Sequence, residues 1–388
     1  MNNIRKLTDS LFWVGVNDRR IALFENVYPV PTGMSYNSYV FLDEKTALFD
    51  TVDASFTHDF LENVTAALKG RTLDYLIVNH MEPDHCASIA DVIAVYPEAK
   101  IVCTAKAVGM MKQFFDFDMD SRAIPVKEGD TISLGSHELT FVMAPMVHWP
   151  EVMVTYEKTE KILFSADGFG KFGALDADEP WENEARRYFI NIVGKYGVQV
   201  QNLLKKAATL DIQMICPLHG PILKENLGYY IGKYLTWSSY EPEEKGVVIA
   251  CASIHGNTMI AAKKLAEILK AKGEKNVVLY DLARDDMPSA IADAYRYDRL
   301  VVAAASYDGG IFPCMETFLR KLKAKNFQKR TVGYIQNGTW APCTAKQMQA
   351  IMGELKNITN AEPVVTIKSA MKEADVAQLE ALADALMA

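Results

Sequence analysis

The chain has 388 residues, 49% apolar and 23% charged, enough for two or three domains with large cores. Its formal net charge of −8 excludes the broadly basic face that non-specific nucleic-acid binding requires. No apolar run reaches the ~18 residues of a membrane span. The first twenty residues lack a signal-peptide core, so a cytoplasmic protein with neither a membrane nor a nucleic-acid partner is expected. The six cysteines (86, 103, 216, 251, 314 and 343) are scattered without a Cys-x-x-Cys pair, the pattern of reduced thiols.

Residues 1 to 72 alternate short strand patterns with turns, and 37–42 and 46–50 read as two strands joined by Asp43-Glu44-Lys45. Leu73 to Val78 is a buried-strand pattern that stops at Asn79. The next six residues, His80-Met81-Glu82-Pro83-Asp84-His85, carry four potential metal ligands. Alternation along an extended loop sends His80, Glu82 and Asp84 to one side and turns His85 away into the start of a helix. Imidazole suits iron or zinc, and carboxylate suits harder cations such as iron or manganese. A lone His or Glu here would be a surface residue; four ligand types directly after a strand point to a metal.

Ala87 to Val95 has helical spacing, and Lys100 to Thr104 reads as another buried strand. The helix after it carries Met110, Met111, Phe114 and Phe115, read as core. Four strands follow between 131 and 165, and strands followed by helices in each half predict helix, sheet, sheet, helix layers. His148, Asp167 and His219 each come after a strand. Taken singly, each is equally well a turn former or a capped polar group. Their shared place at strand ends favours one site.

Residues 238–246, SSYEPEEKG, are polar and contain proline, and read as a linker between domains spanning 1–240 and 246–388. Beyond it, strands at 247–252, 277–282, 300–305, 331–336 and 363–367 alternate with helices at 258–271, 314–325, 343–356 and 373–387. That is a doubly wound parallel five-stranded sheet. Ser253-Ile254-His255-Gly256-Asn257-Thr258 follows the first strand and opens a helix, where backbone N–H groups and hydroxyls suit a phosphate. An ordinary helix cap reads the same way. Ser306-Tyr307-Asp308-Gly309-Gly310 and Asn337-Gly338-Thr339-Trp340 follow the third and fourth strands. The three loops are expected to converge at the switch point of the sheet.

The pattern His-x-Glu-x-Asp-His resembles the metallo-β-lactamase-fold signature His-x-His-x-Asp-His, with Glu82 in the form characteristic of flavodiiron proteins. NHMEPDH, HWPE, SADGFG and CPLHGPI follow that family's order of metal segments. SIHGNT resembles the flavodoxin phosphate loop Thr-x-Thr-Gly-Asn-Thr, with His255 in place of a hydroxyl residue. The resemblance covers nearly the whole chain and implies an αββα metallo-β-lactamase-like sandwich followed by a flavodoxin-like domain. It implies two iron ions per chain, one on His80, Glu82 and His148, the other on Asp84, His85 and His219, with Asp167 bridging them. In some members the residue matching His85 is turned away. It also implies FMN on the three loops, with Tyr307 and Trp340 either flanking the flavin ring or lying on the surface. Tyr28 is placed beside the metals by analogy, or else in the core.

The implied activity is reduction of dioxygen to water, or of nitric oxide to nitrous oxide, with electrons entering through FMN. The alternative is a zinc hydrolase with a flavodoxin-like regulatory domain, against which Glu82 and the flavin loops count. One departure stands out: the stretch between Asp167 and His219 is shorter than the family usually has, which bears on the cover of the site. No rubredoxin-like iron–thiolate module lies within these residues, so a separate electron donor such as rubredoxin or a flavin reductase is implied. The family's assembly and the short linker together suggest a head-to-tail homodimer, or a tetramer, in which FMN of one chain serves the irons of another.

Overall fold

Apolar residues recur along the strands of the N-terminal half and build two sheets that close on one core. The structure, a computed structural model, describes residues 3–388. Residues 1 and 2, part of the expected first domain, lie outside the described residues. One sheet runs in the order Arg5–Lys6, Leu11–Trp13, Tyr39–Leu42, Thr46–Phe49, Tyr75–Ile77, Lys100–Thr104 and Ala123–Val126. The other runs Thr131–Ser133, Glu138–Met143, Met153–Glu157, Ile162–Phe164 and Met214–Cys216. Trp13, Phe41 and Phe49 of the first sheet share a single apolar cluster with Phe141, Met153 and Phe164 of the second. Phe49 stacks on Phe164 with ring centroids 3.8 Å apart. Side chains of this size contribute roughly 2 kcal/mol each when fully buried.

Strand direction gathers the ligand-bearing loops. Thr46–Phe49, Tyr75–Ile77 and Lys100–Thr104 are mutually parallel. In the second sheet, Glu138–Met143 is antiparallel to Met153–Glu157, which is antiparallel to Ile162–Phe164, and Ile162–Phe164 is parallel to Met214–Cys216. The strands 138–143, 162–164 and 214–216 therefore end at one edge. His80, Asp167 and His219 each lie three residues past a strand end, at Ile77, Phe164 and Cys216 respectively.

The helix expected over 87–95 is present as Ile89–Val95, preceded by a separate single turn, Pro83–Cys86, which Pro83 favours by sitting at its first position. Two local expectations are corrected. The methionine–aromatic stretch is core only in part. Met111 is fully buried, whereas Phe114 is 48% exposed; the buried stripe of Ala105–Phe114 holds Ala107 and Met111, one turn apart, and Phe114 is its last residue. The polar segment 238–246 is mostly regular structure. The helix Leu227–Ser239 runs into it and the strand Glu244–Ala252 begins within it.

The C-terminal half is organised on strands buried on both faces. Val247 to Ala252 and Leu300 to Ala304 are each fully buried, as a sheet covered by helices on both sides requires. The order is Val277–Asp281, Glu244–Ala252, Tyr297–Tyr307, Arg330–Asn337, all parallel. The fifth position is shared by two short strands, Ile358–Asn360 and Val365–Ile367, both parallel to Arg330–Asn337. A helix not singled out in the sequence, Met287–Arg296, covers the crossover after the second strand.

Contacts divide the chain into two units, the second taking Ile190–Gly197 together with Thr236–Ala388. The short segment is tied in by polar bonds. The Tyr240 hydroxyl donates to the Gly194 carbonyl at 2.9 Å, and Asn191 Nδ2 donates to the Pro288 carbonyl at 3.1 Å. Arg330, 2% exposed, donates to the Tyr240 carbonyl at 2.8 Å. No helix among the described residues is long and apolar enough to cross a membrane.

Candidate functional site

The metal-ligand candidates begin with how the loop after Tyr75–Ile77 is held. Asp50, buried and left-handed (φ 52°), accepts from Asn79 N at 2.7 Å, Asn79 Nδ2 at 2.8 Å and His80 N at 3.1 Å. Burial pushes its carboxyl up to about 6 despite these bonds. Thr51 Oγ1 donates to the His85 carbonyl at 2.8 Å, so both ends of the loop are tied to the same neighbouring strand.

His80, Glu82, His148 and Asp167 come together as one group, and Asp84, His85 and His219 as another. In the first, His148 Nε2 lies 3.0 Å from Glu82 Oε2 and 3.0 Å from Asp167 Oδ2, and His80 Nε2 lies 3.3 Å from Asp167 Oδ2. In the second, His85 Nε2 lies 3.2 Å and His219 Nε2 3.3 Å from Asp84 Oδ2. Asp167 Oδ1 faces this second group, 3.4 Å from His85 and 3.7 Å from His219. One carboxylate thus turns a different oxygen to each group. The alternation argument for His85 is corrected here. The helical turn Pro83–Cys86 brings its ring back, with Nε2 3.0 Å from that of His219.

The fit to cations can be tested on the orphaned atoms. Both oxygens of Asp84, both of Asp167, and His148 Nε2 are buried without a hydrogen-bond partner. The ligand atoms of each group all lie within 4.8 Å of one another. A cation with bonds of about 2.1 Å sets neighbouring ligand atoms about 3.0 to 3.4 Å apart, close to the 3.0 to 3.7 Å seen here. Carboxylates and imidazoles buried this deeply need a positive charge at their centre.

The electrostatics agree. Burial works against charge on His148, yet the Asp167 and Glu82 carboxylates, each 3.0 Å from its ring, outweigh it and raise the ring to about 9. Burial would lift Asp167, but the charge on His80 and the nearby rings of His148 and His85 hold it well below the usual carboxylate range.

Several neighbours of these groups are not readable from the motif. Glu151, 2% exposed, accepts from Met81 N at 2.9 Å and sits 2.8 Å from His80 Nδ1, which leaves His80 Nε2 to face the cluster. The signal for it was its position three residues after His148, within HWPE. His219 is fixed the same way, its Nδ1 2.7 Å from the Ser35 carbonyl. Gly220 (φ 75°) follows it where a Cβ would meet Lys171 Cγ at 2.7 Å. The rings of Phe24, Tyr36 and Tyr188 surround His219 at 5.4, 5.9 and 5.5 Å. Tyr28 is buried beside this wall, its ring 5.7 Å from Phe172, and burial followed by the charges of Glu25 and Glu82 lifts its hydroxyl to about 12. Glu25, in a left-handed turn with its outer surface exposed, sets its carboxyl against Glu82. Shielding from water and that neighbouring charge push it up to about 7.

In the second unit the three loops line one cavity of about 680 Å³, within the ~300–1,000 Å³ of ordinary ligand sites. Its walls include Ser253, Ile254, His255, Asn257 and Thr258 from the first loop, Ser306 to Gly309 from the second, and Asn337 to Trp340 from the third. Gly256 and Gly310 do not line it. Gly256 instead takes φ 89° at the turn into Asn257–Ala271, with its N–H donating to Ser253 Oγ at 3.0 Å. Thr258, 1% exposed, stands at the start of that helix. The sequence did not mark Cys343 and Ser369, which complete the wall. Asn337 exchanges bonds with Ser369 at 2.9 and 3.1 Å, and Ser306 Oγ accepts from Cys343 N at 3.1 Å. Tyr307 is 44% exposed and packs on Phe312, whereas Trp340 is 90% exposed.

Residues 34–220 match the family model described as ODP family beta lactamase. An anaerobic nitric oxide reductase flavorubredoxin of Aeromonas hydrophila subsp. hydrophila is 27% identical over 88% of this chain and 71% of its own length. An uncharacterised protein of Methanocaldococcus jannaschii is 29% identical over 95% of this chain and 94% of its own. Rubredoxin oxygen:oxidoreductase from Desulfovibrio gigas superposes with a TM-score of 0.92 at 27% identity, over 99% of this chain and 98% of that one. A flavodiiron protein of Giardia intestinalis, at 24% identity, shares the fold with a TM-score of 0.91 over 99% of this chain and 96% of that one.

Proposed function

The chain belongs to the flavodiiron proteins, and on that premise we propose that this oxidoreductase reduces dioxygen to water, nitric oxide to nitrous oxide, or both. The observation that carries the reading is Asp167, whose two oxygens face two separate ligand groups. His80, Glu82 and His148 would hold one iron, and Asp84, His85 and His219 the other. FMN would take its phosphate at Ser253 to Thr258 and its ring between the loops of Tyr307 and Trp340. When bound, the flavin supplies electrons singly or in pairs and the iron pair supplies a place for O2 or two NO molecules. The chain's part is to fix each imidazole by an outer bond, as Glu151 and Ser35 do, and to keep the buried carboxylates ionised. Tyr28 and Tyr188 wall the site without reaching ionisation themselves.

The deciding experiment is anaerobic reduction of purified protein followed by O2 or NO, with both consumption rates and the metal content measured. About four electrons consumed per O2, with iron near two per chain, supports the reading. Zinc in place of iron, with neither gas consumed, would remove it in favour of hydrolysis.

The electron donor is proposed to be a separate protein such as a rubredoxin or a flavin reductase. The working unit is proposed to be a head-to-tail homodimer. One variant would lack Asp84 and Asp167, the other Asn257 and Thr258, and a mixed dimer of the two should regain up to about half the activity. An inactive mixed dimer with one intact site on each chain would break the assembly proposal.

A further inference from the structure

We infer that an apolar cavity behind the metal-ligand loops of the first unit is the docking and entry site for one molecule of diatomic gas, an inference that rests on the gas reduction proposed above. The cavity, of about 20 Å³, lies between the helical residues Val200 to Ala207 and the second sheet. Its floor includes Val147, the neighbour of His148, and Gly168 and Phe169, the neighbours of Asp167. Val147 and Phe169 are buried, at 4% and 6% exposed. At the other end Leu203 and Ala207 are half-buried, so the lining runs from the surface of the unit to the backs of two ligand loops.

The wall is apolar apart from two hydroxyls, and both are engaged. Ser165 Oγ donates to the Gly168 carbonyl at 2.6 Å, and the Tyr234 hydroxyl accepts from Phe169 N at 2.6 Å. A water needs two to four polar partners to stay in such a space, and an apolar cavity without them stays dry and takes xenon or other apolar guests. A volume of this size admits about one small molecule at a time. Dioxygen and nitric oxide are small and weakly hydrated, so such a cavity suits them and not ions or water.

The test begins with xenon-pressurised crystals of the full-length protein loaded with metal and flavin. One xenon should appear between Val147 and Ala207. Ala207→Phe, chosen to fill the outer part, should abolish that xenon and lower kcat/KM for the gas about tenfold while kcat at saturating gas holds. Iron and FMN contents should be unchanged. Leu203→Trp serves the same purpose if Ala207→Phe does not fold. Absence of xenon from the wild-type cavity overturns the inference. So does a filled cavity, seen crystallographically, with kcat/KM unaltered. Should the wild type consume neither gas, the activity reading fails on its own, and the xenon result still decides whether the cavity takes an apolar guest.

Discussion

The metal-ligand cluster and the cavity proposed for the flavin are built on opposite plans. The cluster packs four imidazoles and three carboxylates where His80, His85, Asp167 and His219 are at most 1% exposed, and it leaves carboxylate oxygens unsatisfied. The cavity is open, and its loops satisfy one another through pairs such as Asn337 with Ser369 and Ser369 with Thr339. The first arrangement is costly without a cation, since buried charge must be neutralised. In the second, lining groups such as Asn337, Ser369 and Thr339 bond one another, so no buried charge there demands a partner. A metal at the first would thus be expected to matter to the stability of its unit more than a flavin at the second.

Four measurements would sharpen or break that contrast. The largest effect is expected from Asp167→Ala, which removes the shared carboxylate. Bound metal should fall from about two to below about 0.2 per chain, while the flavin absorbance persists. Full metal occupancy in that variant would take the bridging role from Asp167.

Next comes removal of each ligand from the wild type. Chelation should lower the melting temperature of the first unit by about 10 °C, because a cation that binds only the native state contributes its binding energy to stability. Stripping the flavin should shift the second unit by no more than about 3 °C. Calorimetry resolves the two, and equal shifts would erase the distinction drawn here.

Glu151→Ala should then weaken metal affinity about 10- to 100-fold through loss of the bond that orients His80. Glu151→Gln, which can still accept from Met81 N and His80 Nδ1, should retain most of it. A competition assay with a coloured chelator reads both. The smallest change is expected from Thr258→Val. Loss of one hydroxyl at the phosphate loop should raise the flavin dissociation constant about tenfold and leave metal content untouched. A loss of metal with flavin retained would mean the loop serves the fold and not the ligand.

Much of this was legible along the chain because the relevant signals are local. Four ligand types within His80–His85 and hydroxyls with glycine in Ser253–Thr258 are set by neighbours a few residues apart, and both segments sit at strand ends that a run of apolar residues betrays. Alternation failed at His85 because one helical turn, begun by Pro83, replaced the extended loop it assumed. Ser238 to Gly246 looked like a linker because it is polar. Yet Tyr240, 8% exposed, is held by the Gly194 carbonyl and the buried Arg330, and that anchoring depends on residues 46 and 90 positions away.

By itself, then, the sequence determined which segments carry ligand chemistry and the order of the two folds, since residue type and periodicity are properties of short windows. Only the tertiary structure decided that the Ser35 carbonyl fixes His219, that Glu151 orients His80 from 71 residues away, and that Val147 and Phe169 back the ligand loops with an apolar cavity. The physical reason is common to all three. Each depends on where side chains from different strands end in space to within a fraction of an ångström, and sheet pairing and packing set that distance, not the spacing of residues along the chain.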